Sequence, residues 1–382
     1  MVATQEAPSR TTFPYLPALD GIRGLLVFPV VAFHFSVTEW GADALAPGSF
    51  FAPSMFFTLS GFLITSLLLV ERERSGRVDW RGFWARRLRR LLPASMAVIV
   101  GCVAVDAVFD LWDLNAGDAT AAVFSYMNWR QIHFAEVPQR LLGPLGPYWS
   151  LAVEEQFYLG LSIVVAVALA TRRPLRFLGG ALIALWAMSV AAQILVNGST
   201  PREYFGTDTR ASEMVAGCLL AMAIHRWGWP SDRRWAWLGL ACTVLTVAGW
   251  LFVHESQSWV TSGGLALFAF VNIGMIMGAV VDTPFRRALQ FRPLTELGRI
   301  SYPVYVVHWA VTVGFDQGRL GVSGWPLIAI RFVVTLALGW ALARFIEEPI
   351  RRKTLLPGRQ LAWAWAGATL LSIAVAGVVD GG

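Results

Sequence analysis

Apolar residues in this chain come in eleven runs of 17–23 residues, broken by short polar stretches rich in arginine, proline and tryptophan. The hydrocarbon core of a bilayer is about 30 Å thick and takes roughly 20 residues of helix. Each run therefore predicts a membrane span: 19–40, 50–70, 91–112, 148–170, 177–196, 210–226, 235–254, 260–281, 298–316, 324–346 and 361–379. The run 119–132 is only fourteen residues long and predicts a re-entrant or surface helix. Backbone groups in lipid must bond within their own segment, which leaves helices as the architecture for spans of this length. Alternating ten-residue strands of the outer-membrane barrel kind do not occur, nor does a long internal repeat of the transporter kind. The expected fold class is all-α, a polytopic transmembrane helical bundle of ten to eleven spans. Small residues within the spans (Gly61, Gly217, Gly263, Gly264, Gly274, Gly278) predict close helix packing.

Charge orients the bundle. With the N-terminus in the cytoplasm, the segments between spans on the inner side hold 21 of the 31 basic residues, and those on the outer side hold four: Arg130, Arg140, Arg202 and Arg319. This is the positive-inside pattern. Counting 119–132 as a span would invert everything after it. Composition agrees, with 56% hydrophobic and 15% charged residues in 382, against about 25% charged in soluble domains. The net charge of +6 is then a topological signal first, and nucleic acid is not an expected partner. Cys102, Cys218 and Cys242 lie inside apolar runs without metal-ligand spacing, so neither disulfides nor a metal site are expected. The first run is followed closely by the second, without the small-residue pattern of a cleavable signal peptide.

Ionisable residues inside spans are costly, which makes them functional candidates. Arg23 and His34 lie eleven residues apart in the first span, so they share one helix face about 16 Å apart, with Pro29 between them. A histidine can take and return a proton near neutral pH, and an arginine fork suits phosphate. The structural alternative is an interfacial anchor and a histidine tied to a carbonyl. In the inner loop 71–90, Arg86, Arg87, Arg89 and Arg90 cluster beside the aromatics Trp80, Phe83 and Trp84. They read as a phosphate-binding cluster or as a lipid-headgroup anchor. Glu154 and Glu155 sit about six residues inside the fourth span, where a carboxylate would orient an imidazole. His308, Arg210, Glu213, Arg331 and Asp106 are lesser candidates that could equally tie helices together. The chain has no GxxxxGK[ST], GxSxG or HExxH motif.

The segments LPALDGIRGLLVFPVVAFHF, FFTLSGFLI, FWARRLRRLLPA, YWSLAVEEQFYL, YFGTDTRASEMVAG, LGRISYPVYVVHW and EEPIRR occur in the order seen in the acyltransferase family 3 membrane proteins, which this chain resembles from about residue 15 to 353. The resemblance implies an O-acyltransferase of the bacterial plasma (inner) membrane. Such proteins take an acyl group, often acetyl, from cytoplasmic acyl-CoA as co-substrate and pass it, without a metal, to a hydroxyl of a carbohydrate-type acceptor. It makes His34 catalytic and puts the family glutamate at Glu154; His34 would either accept the acyl group or remove the acceptor proton, with Glu154 holding its ring. It places the donor on Arg23 and on an Arg-x-x-Arg pair that is either Arg86–Arg89 or Arg87–Arg90. The expected organisation is a tail over 1–18, an acyltransferase domain over 19–360, and a last helix with a short outer tail over 361–382. Many relatives carry an extracytoplasmic SGNH-type domain at that point. Its absence from these 382 residues leaves two expectations, a member that acts alone or a piece of a longer chain, and leaves the final acceptor open. The rival expectations are an acyltransferase for a small secondary metabolite such as a macrolide, a transporter or flippase without covalent chemistry, and a non-catalytic scaffold.

Overall fold

The computed structural model describes residues 13–41, 44–112, 114–135, 143–196, 200–254, 257–353, 355–356 and 359–380. Arg10, Arg140 and residues 1–12 of the expected tail lie outside them. Among the described residues all regular secondary structure is helical. In chain order the helices are α1 (Pro17–Trp40), α2 (Ala52–Ser75), α3 (Trp80–Phe109), α4 (Ala116–Val123), α5 (Met127–Ala135) and α6 (Tyr148–Leu169). They continue with α7 (Pro174–Leu195), α8 (Thr200–Phe205), α9 (Thr207–Trp227), α10 (Arg234–Phe252), α11 (Leu265–Val280) and α12 (Pro284–Leu289). The last six are α13 (Arg292–Arg299), α14 (Ser301–Gly314), α15 (Gln317–Leu320), α16 (Gly324–Ala341), α17 (Glu348–Arg351) and α18 (Gln360–Asp380).

Nine helical stretches among the described residues are long and apolar enough to cross a membrane. Two of the eleven expected spans fall outside this set for different reasons. The run 210–226 lies in α9, which carries Asp208, Arg210, Glu213 and Arg226. Its Arg210 and Glu213 are fully buried and paired at 2.7 Å, so the charges face protein rather than lipid. The run 298–316 is broken between α13 and α14. The second piece has 14 residues, about 21 Å of helix, which is short of the core thickness. The weak run 119–132 forms α4 and the start of α5, of eight and nine residues, neither long enough to span.

The polar stretch 71–90 is not a loop. α2 continues to Ser75, and α3 begins at Trp80, where the Asp79 carboxylate caps it by accepting from the Gly82 N–H at 3.0 Å. The arginine cluster therefore rides on a helix, whose turns send successive side chains in different directions.

Glycines let two pairs of helices touch backbone to backbone. A Cβ on Gly217 of α9 would lie 1.9 Å from the Thr58 carbonyl oxygen of α2, and one on Gly61 would lie 2.0 Å from that of Met214. Along α1 and α13, Gly24 meets the Leu294 carbonyl and Gly298 meets that of Asp20, at 2.1 and 1.8 Å from the position a Cβ would take. The expectation of close packing fails at Gly263, which has φ +105° and nothing within 4 Å; there glycine supplies a left-handed backbone turn ahead of α11. Gly217→Leu should destabilise the bundle by at least about 3 kcal/mol, the top of the usual overpacking range, because backbone cannot yield as a side chain does. Unfolding in mixed micelles measures it, and unchanged stability would mean the α2–α9 seam is looser than described.

Candidate functional site

α1 supplies the axis of the site. Arg23, Val30 and His34 stand at i, i+7 and i+11, on one face of a helix that continues unbroken through Pro29. Three cavities lie along this face. The first, about 790 Å³, is lined by Arg23 and Arg90 together with Tyr15, Arg299 and the charged side chains of the EEPIRR segment. The second, about 140 Å³, holds Arg23, Arg87, Arg90, Glu154, Tyr158 and Tyr302. The third, about 220 Å³, holds His34, Phe33, Gln131, Trp149 and Trp309. Arg23, Leu63, Arg90, Ser301 and Tyr302 line both the first and the second, while Val30, Pro53 and Tyr305 line both the second and the third.

The two doubled arginines part ways on α3. Arg86 is exposed and pairs with Glu71 at 3.3 Å. Arg89 donates to the carbonyls of Ile350 and Leu356, at 3.4 and 3.2 Å, and so ties α3 to the segment ahead of α18. Arg87 and Arg90 turn into the bundle and line the central cavity. Of the two registers the sequence left open, Arg87–Arg90 is the pair whose side chains both line this cavity.

These two arginines differ in what holds them. Arg87 makes a 3.0 Å ion pair with Glu155 and a 3.8 Å pair with Glu154. Its guanidinium lies 3.3 Å from the centre of the Tyr158 ring. Arg90 has no hydrogen bond or ion pair to another described residue, and it remains exposed toward the two cavities it lines. Arg23 stands nearby with its charge matched by Asp20 at 2.8 Å. Asp20 also accepts from the Tyr15 hydroxyl at 2.6 Å. Tyr15 precedes α1, and burial together with its bond to Asp20 raises its phenol above the ordinary value, so it stays a donor. At the wide mouth the remaining charges pair among themselves: Arg344 and Arg352 with Glu348, and Arg351 with Glu347.

Glu154 does not hold His34, contrary to the sequence expectation. Its carboxylate accepts from Ser60 Oγ at 3.0 Å and from the Tyr158 hydroxyl at 3.3 Å, in the cavity with the arginines. Glu154 thus lies beside Arg87, in a different cavity from His34. The partner of His34 is His308, whose Nε2 lies 3.1 Å from His34 Nδ1. His308 Nδ1 in turn lies 2.5 Å from the Tyr305 carbonyl oxygen. Trp309 packs its ring edge-on to His34 at 5.2 Å between centroids. Tyr305, at the junction of the last two cavities, donates from its hydroxyl to the Pro147 carbonyl at 3.0 Å.

The other intramembrane candidates are ties between helices. Arg210 pairs with Glu213 beneath the rings of Phe57, Trp149 and Tyr204. Arg331 donates to the carbonyls of Phe35 and Phe315 and pairs with Glu39 at 3.4 Å. Asp106 accepts from the backbone N–H groups of Trp112 and Leu114. Tyr302, Tyr305 and His308 were not brought together by sequence reasoning, yet their i, i+3, i+6 spacing in SYPVYVVHW puts all three on one face of α14. Among the described residues, no group of three or more His, Cys, Asp or Glu side chains is placed to hold a metal ion.

The model of the acyltransferase domain family matches residues 16–344. An O-acetyltransferase OatA from Staphylococcus aureus is 31% identical over 358 residues, covering 89% of this chain and 58% of that protein. A peptidoglycan O-acetyltransferase OatA from Listeria monocytogenes is 33% identical over 370 residues, covering 90% of this chain and 57% of that protein. The chain thus spans somewhat over half the length of these relatives. No solved structure matches at a significant level.

Proposed function

This chain belongs to the acyltransferase domain family and is a multi-pass integral membrane protein, and from that premise we propose that it moves an acyl group, acetyl by likeness to its relatives, from acyl-CoA to a hydroxyl of a cell-surface glycan. The observation that carries this reading is the row of three adjoining cavities that leads from the arginines to His34. The excess of basic residues on one side supports a cytoplasmic arginine end. The phosphates of the donor dock on Arg90 and Arg23, with Arg87 holding the cavity wall. The pantetheine arm lies along the α1 face, and the thioester reaches past Val30 and Tyr305 to His34. An aromatic cavity with an amide at its edge suits the apolar face and hydroxyls of a sugar. The S. aureus and L. monocytogenes proteins are named for O-acetyl transfer, and the second for peptidoglycan, which makes a muramyl or related glycan the first acceptor to try.

At His34 the reaction is acyl transfer assisted by a base. The ring takes the proton of the acceptor hydroxyl as its oxygen bonds the thioester carbonyl carbon. The carbon–sulfur bond breaks, and the proton passes to the sulfur, leaving free CoA thiol and an unchanged ring. The test is transfer of labelled acetyl from acetyl-CoA to glycan by the protein in sealed vesicles, with mass analysis of the acceptor. Acceptor carried across the vesicle without gain of acyl mass would overturn the reading. Val30→Phe should narrow the junction between the last two cavities. We expect donor binding at the arginine end to persist while transfer falls to near background. Equal losses of both would place the donor elsewhere.

A further inference from the structure

The pairing of His34 with His308 decides which nitrogen of His34 reacts. A carbonyl oxygen can only accept a hydrogen bond, so the contact of His308 Nδ1 with the Tyr305 carbonyl puts the His308 proton on Nδ1. A neutral imidazole carries a single N–H, which leaves His308 Nε2 as a bare lone pair. That lone pair faces His34 Nδ1 at 3.1 Å. Two lone pairs cannot share this contact, so the proton of His34 must sit on Nδ1. A cationic His308 would instead bury a full charge against a carbonyl and an imidazole, with no carboxylate in contact, which is the costly alternative. His308 is itself fully buried and held from behind by α14, with the Thr312 hydroxyl bonded to its carbonyl one turn on.

We propose that His308 is a positioning residue that fixes His34 as its Nδ1–H tautomer and so leaves Nε2 as the reacting nitrogen, a role that rests on the acyl-transfer reading above. The Nε2 lone pair removes the acceptor hydroxyl proton as the new carbon–oxygen bond forms and the carbon–sulfur bond breaks, then returns that proton to the departing sulfur. While His34 holds both protons, its Nδ1–H continues to donate to His308, which spreads the charge over two rings. The chain therefore builds from two histidines what a histidine and a carboxylate do in hydrolase triads, but with a neutral partner suited to a site deep in the bundle.

The test has two arms. In the first, protein labelled with ¹⁵N-histidine is studied in bilayers without substrate, with the His34 signals assigned by their loss in His34→Asn. The expected result is a protonated Nδ1 and a bare Nε2 in wild type, with the other tautomer gaining ground in His308→Leu. A protonated Nε2 on His34 in wild type overturns the proposal. In the second arm, kcat for acetyl transfer should fall about 10²–10⁴-fold in His308→Leu while the KM for acetyl-CoA stays unchanged. His308→Gln, whose side-chain oxygen can accept at the same place, should recover most of the lost rate. Equal activity in Leu and Gln variants that unfold at the wild-type temperature would reduce His308 to packing. The spectroscopic arm needs no substrate, so it stands or falls separately from the acyl-transfer reading.

Discussion

Replacing His34 with alanine should abolish acyl transfer and leave the bundle folded. The ring makes a hydrogen bond to the His308 side chain and otherwise packs against Phe33 and Trp309 at the wall of an existing cavity. Its loss enlarges that cavity without stranding a charge, so the stability cost should stay at the low end for a buried large-to-small change, about 2 kcal/mol. The loss in rate should be far larger, because the imidazole that lines the aromatic cavity disappears. A positioned base is worth about 10²–10⁴-fold in rate, enough to bring labelled acetyl in glycan down to background. Unfolding followed by tryptophan fluorescence serves as the control. Full transfer by a folded His34→Ala protein would remove this residue from the chemistry.

The two inward arginines should fail in opposite ways. Arg90→Met takes away a guanidinium that no described residue pairs with, so folding should be unaffected. If Arg90 meets a donor phosphate, the lost charge-assisted hydrogen bonds are worth about 1.5–3 kcal/mol, a rise in KM for acyl-CoA of about 10- to 100-fold. Arg87→Met leaves Glu154 and Glu155 without their cation in an enclosed site. Stranding a buried charge costs about 3–5 kcal/mol, so this variant should be poorly folded, and adding Glu155→Gln should restore part of the stability. Calorimetric titration of acyl-CoA against each purified variant separates the two effects. An unchanged donor affinity in Arg90→Met would exclude it from the phosphate site.

The helical bundle was legible because its signal is length itself: 17–23 apolar residues in a row admit few other forms. Hydrophobicity was a weaker guide where protein rather than lipid surrounds a helix, as α9 with its buried Arg210–Glu213 pair illustrates. Helical spacing within one element was also legible. Arg23 and His34 lie along one face of α1 as their separation required. Relations between helices were not. Nothing in VEEQF says that Glu154 meets Ser60 of α2 and Arg87 of α3, or that the neighbour of His34 comes from α14, 274 residues away. The split of the arginine cluster depended on the Asp79 cap, which turns 80–90 from loop into helix and thereby gives each arginine a direction.

The glycine seams also bear on how such a protein can work at all. Carbonyl oxygens of α1 and α2 sit where the glycines of α13 and α9 have no side chain, so neither pair can slide by a residue without driving backbone into Cβ atoms. Carriers that rock one half of a bundle against the other need interfaces that shear. Here α1 is keyed to α13 and α2 to α9, so these two cavity-lining helices are each held by a neighbour behind them. The freedom to move then falls to side chains at the narrow point, Val30 and Tyr305, so turnover should follow the speed of a rotamer flip rather than that of a domain.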